Sequence, residues 1–114
     1  MSDKYLKIPI FNQRIYLVGK EDAEKYCGLD NVENYEALCF IGYRNRICFY
    51  YLKSINDKTL VHESVHLANF IIDRCLIYST PQNDEIQAYL TAYIYENLRG
   101  KIKCLTLPTL LSTI

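Results

Sequence analysis

Apolar and polar positions follow two different periods along this chain. Residues 59–72 carry apolar side chains at spacings of three and four, without Gly or Pro, and this is the period of an amphipathic helix. Helix-forming composition predicts two more helices. One covers residues 20–27 and stops at Gly28, and the other runs from about Asp84 to Leu98 and stops near Gly100. The turn-rich segment 78–83 predicts a short connection between the last two helices.

Three shorter stretches read as strands. Residues 13–19 are β-branched and aromatic, and the runs 37–43 and 46–52 flank the polar pair Arg44-Asn45 as in a hairpin. Together the periods predict a single α+β domain over residues 1–114. Its small antiparallel sheet, a strand plus a hairpin, should pack on the helix at 59–72 and on the helix that follows. The apolar tail 102–114, which Pro108 interrupts, is predicted to lie beyond that last helix.

Composition narrows the class of protein. The 13 basic and 13 acidic residues cancel and no polybasic run occurs, which disfavours nucleic-acid binding through a phosphate-neutralising patch. Apolar stretches are too short to predict a membrane span, and no apolar stretch follows Met1 as in a signal peptide. The five cysteines are odd in number, widely spaced and without a CxxC pair. They are therefore predicted to be reduced core thiols in a cytoplasmic protein.

The pentapeptide His62-Glu63-Ser64-Val65-His66 carries the candidate chemistry. It contains the only two histidines of the chain, four residues apart within the predicted helix, so both imidazoles lie on one face. Two such imidazoles can take two positions of a tetrahedral Zn²⁺. Glu63 lies beside them and can act as general base toward a metal-activated water.

A catalytic zinc site needs a third protein ligand, which here must be a carboxylate or a thiolate, because no third histidine exists. The short connection should turn the next helix back beside the first, and the first turn of that next helix carries Asp84 and Glu85. Glu85 shares its helix face with small and aromatic residues suited to helix packing, whereas Asp84 points about 100° away. Glu85 is therefore the preferred third ligand, with Asp84 as the alternative.

The order of hairpin, HExxH helix, turn and a helix opening with Glu85-Ile86-Gln87-Ala88 resembles the zincin metallopeptidases, and within them the gluzincins. It is also similar to very small HExxH proteins of phages and mobile elements. The resemblance implies His62, His66 and Glu85 as ligands and Glu63 as base. It implies that strand Arg46 to Leu52 binds extended substrate by β-addition. The aspartate of the gluzincin ExxxD pattern is replaced by Tyr89. Because no third histidine exists, a tyrosine such as Tyr89 or Tyr93, or an arginine, would polarise the oxyanion.

These features predict a zinc-dependent hydrolase, a small metallopeptidase acting on peptide or protein substrates. In gluzincin peptidases a second subdomain forms the other wall of the cleft, and only 29 residues follow Glu85 here. A protein partner or a homo-oligomer is therefore expected to complete the cleft. The alternative prediction is a metal-stabilised protein-binding module without protease activity, in which the metal contributes folding energy. Neither prediction involves nucleic acid or a membrane.

Overall fold

One four-stranded sheet and three helices form the fold. A computed structural model describes residues 4–77, 80–81 and 84–113. The strands are β1 (Tyr5–Ile8), β2 (Gln13–Leu17), β3 (Ala37–Ile41) and β4 (Ile47–Tyr51). The helices are α1 (Lys20–Cys27), α2 (Asp57–Arg74) and α3 (Asp84–Thr113). The predicted α+β class is confirmed.

The sheet is mixed, with strand order β1-β2-β4-β3. β1 pairs antiparallel with β2, and β3 pairs antiparallel with β4 as the predicted hairpin. β2 and β4 run parallel, with Ile15 beside Ile47, so the prediction of a wholly antiparallel sheet is wrong. The physical reason is the connection from β2 to β4, which passes through α1 and β3 and is long enough for a parallel crossover.

The two faces of the sheet bury different clusters. The larger core lies between one face and the helices α2 and α3, and its fully buried members include Ile15, Phe49, Leu67 and Ile94. A smaller cluster lies on the opposite face, where Ala23 of α1 packs near Phe40, Cys48 and Tyr50. The larger core fixes α2 against the sheet and therefore fixes the direction in which the motif faces.

The observed boundaries of α1 agree with those predicted from the sequence, whereas the observed end of α3 differs from the predicted one. Gly28 caps α1 in the left-handed conformation at φ 64°, and its N–H donates to the Glu24 carbonyl. α3 does not end at Gly100, because Leu98 and Ile102 are both buried and the apolar stripe continues across the glycine. The predicted tail at 102–114 is thus helical as far as Thr113, and position 114 lies outside the described residues. Within the described ranges, no helix combines the length and apolarity that a membrane crossing requires.

Candidate metal centre

A polar clamp fixes the start of α2, the helix that carries the motif. The Asn56 side chain accepts a hydrogen bond from the Thr59 N–H at 2.8 Å, which caps the helix. Glu36, just before β3, accepts from the Asn56 N–H at 2.8 Å and from the Asn56 amide at 3.1 Å. The clamp ties the first turn of α2 to the start of β3.

The two histidines lie on the outer face of α2, away from the core. Their Nε2 atoms are 3.1 Å apart, and the His62 side chain is 68% exposed. Two nitrogens bound to one tetrahedral Zn²⁺ lie about 3.4 Å apart, given Zn–N bonds of about 2.1 Å. A few tenths of an ångström of side-chain motion would reach that spacing. The pair therefore fits a shared divalent metal whose remaining positions face solvent.

Glu63 lies at the inner edge of the pair, where α2 faces β3. It is only 8% exposed, and its Oε2 atom is 4.0 Å from His62 Nε2. The donor atoms of His62, Glu63 and His66 all lie within 4.8 Å of one another. Among the residues that the structure describes, this is the group of three that can converge on one metal ion. The predicted motif residues are thus brought together.

Cys39 of β3 contacts Glu63, a contact that the sequence did not predict. Its Sγ atom lies 3.6 Å from the Glu63 carbonyl oxygen and 3.8 Å from Glu63 Oε1. Burial raises the pKa of the Cys39 thiol well above its ordinary range, and the nearby Glu63 carboxylate raises it further. Cys39 therefore places a protonated thiol against Glu63, within donor distance of both the carbonyl oxygen and Oε1, while Oε2 lies toward His62. The sequence placed Cys39 among the core thiols, since spacing alone does not show which side chain a strand presents to a helix.

The structure does not bring Glu85 to the histidine pair. Gln87 donates to Asn69 at 2.7 Å, and Arg99 lies 3.5 Å from Asp57. Twelve residues separate these contacts on each helix, so both belong to one antiparallel register. In that register Glu85 lies five residues, about 7.5 Å along the axis, beyond the level of His66. In this arrangement of α3, Glu85 is therefore offset from the metal-binding face that His66 defines. Ligation by Glu85 stays a prediction, and it would require α3 to move.

The other residues predicted on α3 also face away from the pair. Glu85 and Tyr89 line a shallow hollow of about 260 Å³ with Ile10 and Phe11 of the β1–β2 turn. The Tyr93 hydroxyl donates to the Lys7 carbonyl of β1 at 3.4 Å. Asp84 instead lines a groove of about 380 Å³ between α2 and α3, together with apolar residues of both helices. The alternative ligand thus lies on the α2 side of α3, but its carboxylate does not join the cluster.

The predicted substrate strand, Arg46 to Leu52, lies inside the sheet and is not an edge strand. β4 pairs with β3 along Ile47–Tyr51 and with β2 along Ile47–Phe49. The prediction that this strand binds substrate by β-addition is therefore wrong. The edge strand next to α2 is β3, whose partner on one side is β4 and whose Cys39 touches the motif helix.

Comparison of the chain with protein-family models, with curated proteins and with solved structures finds no significant match.

Proposed function

We propose that this protein is a zinc-dependent hydrolase that cleaves peptide bonds. The observation that carries the proposal is the convergence of His62, Glu63 and His66, with their donor atoms within 4.8 Å of one another. The two imidazoles are exposed, whereas the carboxylate is buried and held by a neutral thiol donor. A purely structural metal site has no need of a carboxylate placed beside two ligands in this way.

Each residue of the site has its own role in the proposed reaction. His62 and His66 would hold Zn²⁺, which when bound supplies a Lewis acid and lowers the pKa of coordinated water. Glu63 would accept the proton of the attacking water on Oε2 and return it to the leaving amine. Cys39 would help keep the carboxylate in place, because its protonated thiol lies within donor distance of Oε1. No oxyanion donor is assigned, since Tyr89 and Tyr93 face elsewhere.

The substrate in this proposal is an extended peptide that pairs with the free edge of β3. β3 runs beside α2 at the level of Glu63, so a strand added to that edge would pass the exposed histidines. The free thiols of Cys27, Cys39, Cys48 and Cys75 suit a reducing, cytoplasmic setting, which is part of the same proposal.

The test is hydrolysis of an internally quenched peptide library by zinc-loaded protein, compared with Glu63→Gln. We expect Glu63→Gln to keep metal and fold and to lose activity by about 10²–10⁴-fold. Glu96→Gln, which alters an exposed carboxylate on α3, is the matched control and should keep full activity. Unchanged turnover in Glu63→Gln, or no hydrolysis by zinc-loaded wild-type protein, would refute the proposal.

The second candidate is a metal-bridged binding module. It is favoured by one observation: within the described residues, no third side chain joins the exposed histidine pair other than Glu63. Zinc could then take its remaining ligands from another chain. Sedimentation velocity with and without zinc separates the candidates, because a bridging module becomes a larger species only with metal and only when His62 and His66 are both present.

A further inference from the structure

An apolar groove between α2 and α3, the α2–α3 groove, lies beside the histidine pair. Its volume is about 380 Å³, within the range of roughly 300–1,000 Å³ that is typical of ligand pockets. Val61 and Val65 of α2 form one wall, and they are 44% and 37% exposed. Ala88 and Ala92 of α3 line the other wall and are also exposed. The groove is present because these alanines are too short to fill the space between the two helices.

The groove and the edge strand β3 lie on opposite sides of the histidine pair. Successive residues of a helix are about 100° apart, so Val61 and Val65, one residue before each histidine, are turned toward α3. Glu63, one residue after His62, is turned the other way, toward Cys39 of β3. A peptide that pairs with β3 and crosses the histidine pair would therefore reach the groove with residues beyond the cleaved bond.

The two ends of the groove differ in chemistry. Thr91 and the ring of Tyr95 continue the lining beside the valines. At the other end, past the hydrogen bond from Gln87 to Asn69, lies the exposed carboxylate of Asp84, which forms no ion pair within the described chain. Asp84 is seven residues from Thr91, about 10.5 Å along the helix axis. Two residues of extended peptide and a lysine side chain can span that distance.

We propose that the α2–α3 groove determines which peptides this protein cleaves. It would select a large apolar residue within two positions of the cleaved bond and a basic residue within two positions of that apolar residue. The proposal rests on the hydrolase function proposed above. The apolar side chain would pack on Val61 and Val65, and the removal of its surface from water provides the main selectivity. The basic side chain would face Asp84, which adds a smaller preference because the carboxylate is exposed.

Cleavage of an internally quenched peptide library by the zinc-loaded full chain, with the cleaved bonds located by mass spectrometry, tests the proposal. Leu, Phe or Met should be enriched at one position near the cleaved bond, with Lys or Arg enriched within two positions of it. In the best-cleaved peptide, replacing the apolar residue by Ser should lower kcat/KM about tenfold or more. Replacing the basic residue by Gln should lower kcat/KM by about two- to fivefold.

Ala92→Leu fills the groove from α3 and leaves α2, with its two histidines, unchanged. It should lower the ratio of kcat/KM for the apolar peptide over its Ser counterpart by about tenfold, and cleavage of the Ser peptide should stay within about twofold of wild type. Asp84→Asn should remove the preference for the basic residue alone. Lys101→Leu adds the same side chain at an exposed position of α3 outside the groove, so this matched control should keep both preferences.

The possible results separate the specificity of the groove from the hydrolase function. Hydrolysis without an apolar preference, or an equal preference in Ala92→Leu and Lys101→Leu, would overturn the role of the groove and leave the hydrolase standing. No hydrolysis of any peptide would overturn both. A change in sedimentation coefficient alone in Ala92→Leu would assign the groove to a second copy of the chain instead. Circular dichroism and zinc content should match wild type in each variant, and Ala88→Leu replaces Ala92→Leu if that variant does not fold.

Discussion

Replacing Asn56 by Ala tests the clamp that fixes the motif helix to the sheet. The change removes the N-cap acceptor for Thr59 N–H, which costs about 1 kcal/mol. It also removes the amide donor to Glu36 Oε1, an exposed charge-assisted bond that contributes roughly 0.5–1 kcal/mol. The backbone N–H of residue 56 still donates to Glu36, so we expect a total loss of roughly 1.5–2 kcal/mol.

That loss converts to a melting temperature through the unfolding entropy. At about 2.1 cal/mol/K for each of the 114 residues, the midpoint should fall by about 6–8 °C. Asn56→Ser keeps a cap acceptor but lacks the amide donor, so its midpoint should fall by only about 2–4 °C. Lys58→Ala, in the same first turn of α2, changes an exposed side chain without a hydrogen bond and should stay within about 0.5 kcal/mol of wild type.

Thermal and urea unfolding followed by circular dichroism measure these differences. Glu36→Gln combined with Asn56→Ala completes a double-mutant cycle that isolates the amide–carboxylate bond. The clamp would be refuted by an Asn56→Ala variant as stable as Lys58→Ala, or by Asn56→Ser proving as damaging as Asn56→Ala.

Three further predictions concern the site. Zinc at a hundredfold excess over its dissociation constant should stabilise the wild-type protein by about 2.7 kcal/mol in thermal melts, and His62→Ala or His66→Ala should each abolish that gain. Because the pKa of the Cys39 thiol is raised in the folded state, Cys39 stabilises the fold below the ordinary thiol pKa and loses this contribution progressively as the pH rises. Urea unfolding between pH 8 and 10 should show the free energy of unfolding falling with pH, and the fall should be smaller in Cys39→Ala. In the observed register, neither Glu85→Ala nor Asp84→Ala should change zinc affinity in a metal titration, whereas a tenfold loss in Glu85→Ala would show that α3 moves on metal binding.

The sequence predicted the elements that depend on local chemistry. The helical period of residues 59–72 and the glycine that follows Cys27 both translate into the observed α2 and α1. The hairpin followed from two apolar runs around Arg44-Asn45, and both residues have positive φ in the turn, at 55° and 60°. The HExxH spacing alone was enough to place the two imidazoles together, because a helix fixes side chains four residues apart on one face.

Features that depend on how distant segments meet could not be read from one sequence. β1 is only four residues long, and its pairing with β2 requires a register that no local pattern specifies. The interior position of β4 depends on the parallel crossover, which also leaves β3 as the edge beside α2. The apolar stripe of α3 crosses Gly100, so the burial of Ile102 overrides the local stop signal.

The register of α2 and α3 decides which residues could be ligands of the proposed metal site. Bringing Glu85 level with His66 needs a slide of about 7.5 Å, which is not a whole helical turn of 5.4 Å. The slide would break the Gln87–Asn69 and Arg99–Asp57 contacts and move the buried stripe at Leu90, Ile94 and Leu98 out of its packing positions. Even then Glu85 would face the β1–β2 turn, so α3 would also have to rotate. With α3 held by its core, a zinc ion on the histidine pair would keep open positions toward solvent, where water, a substrate carbonyl or a second chain could bind.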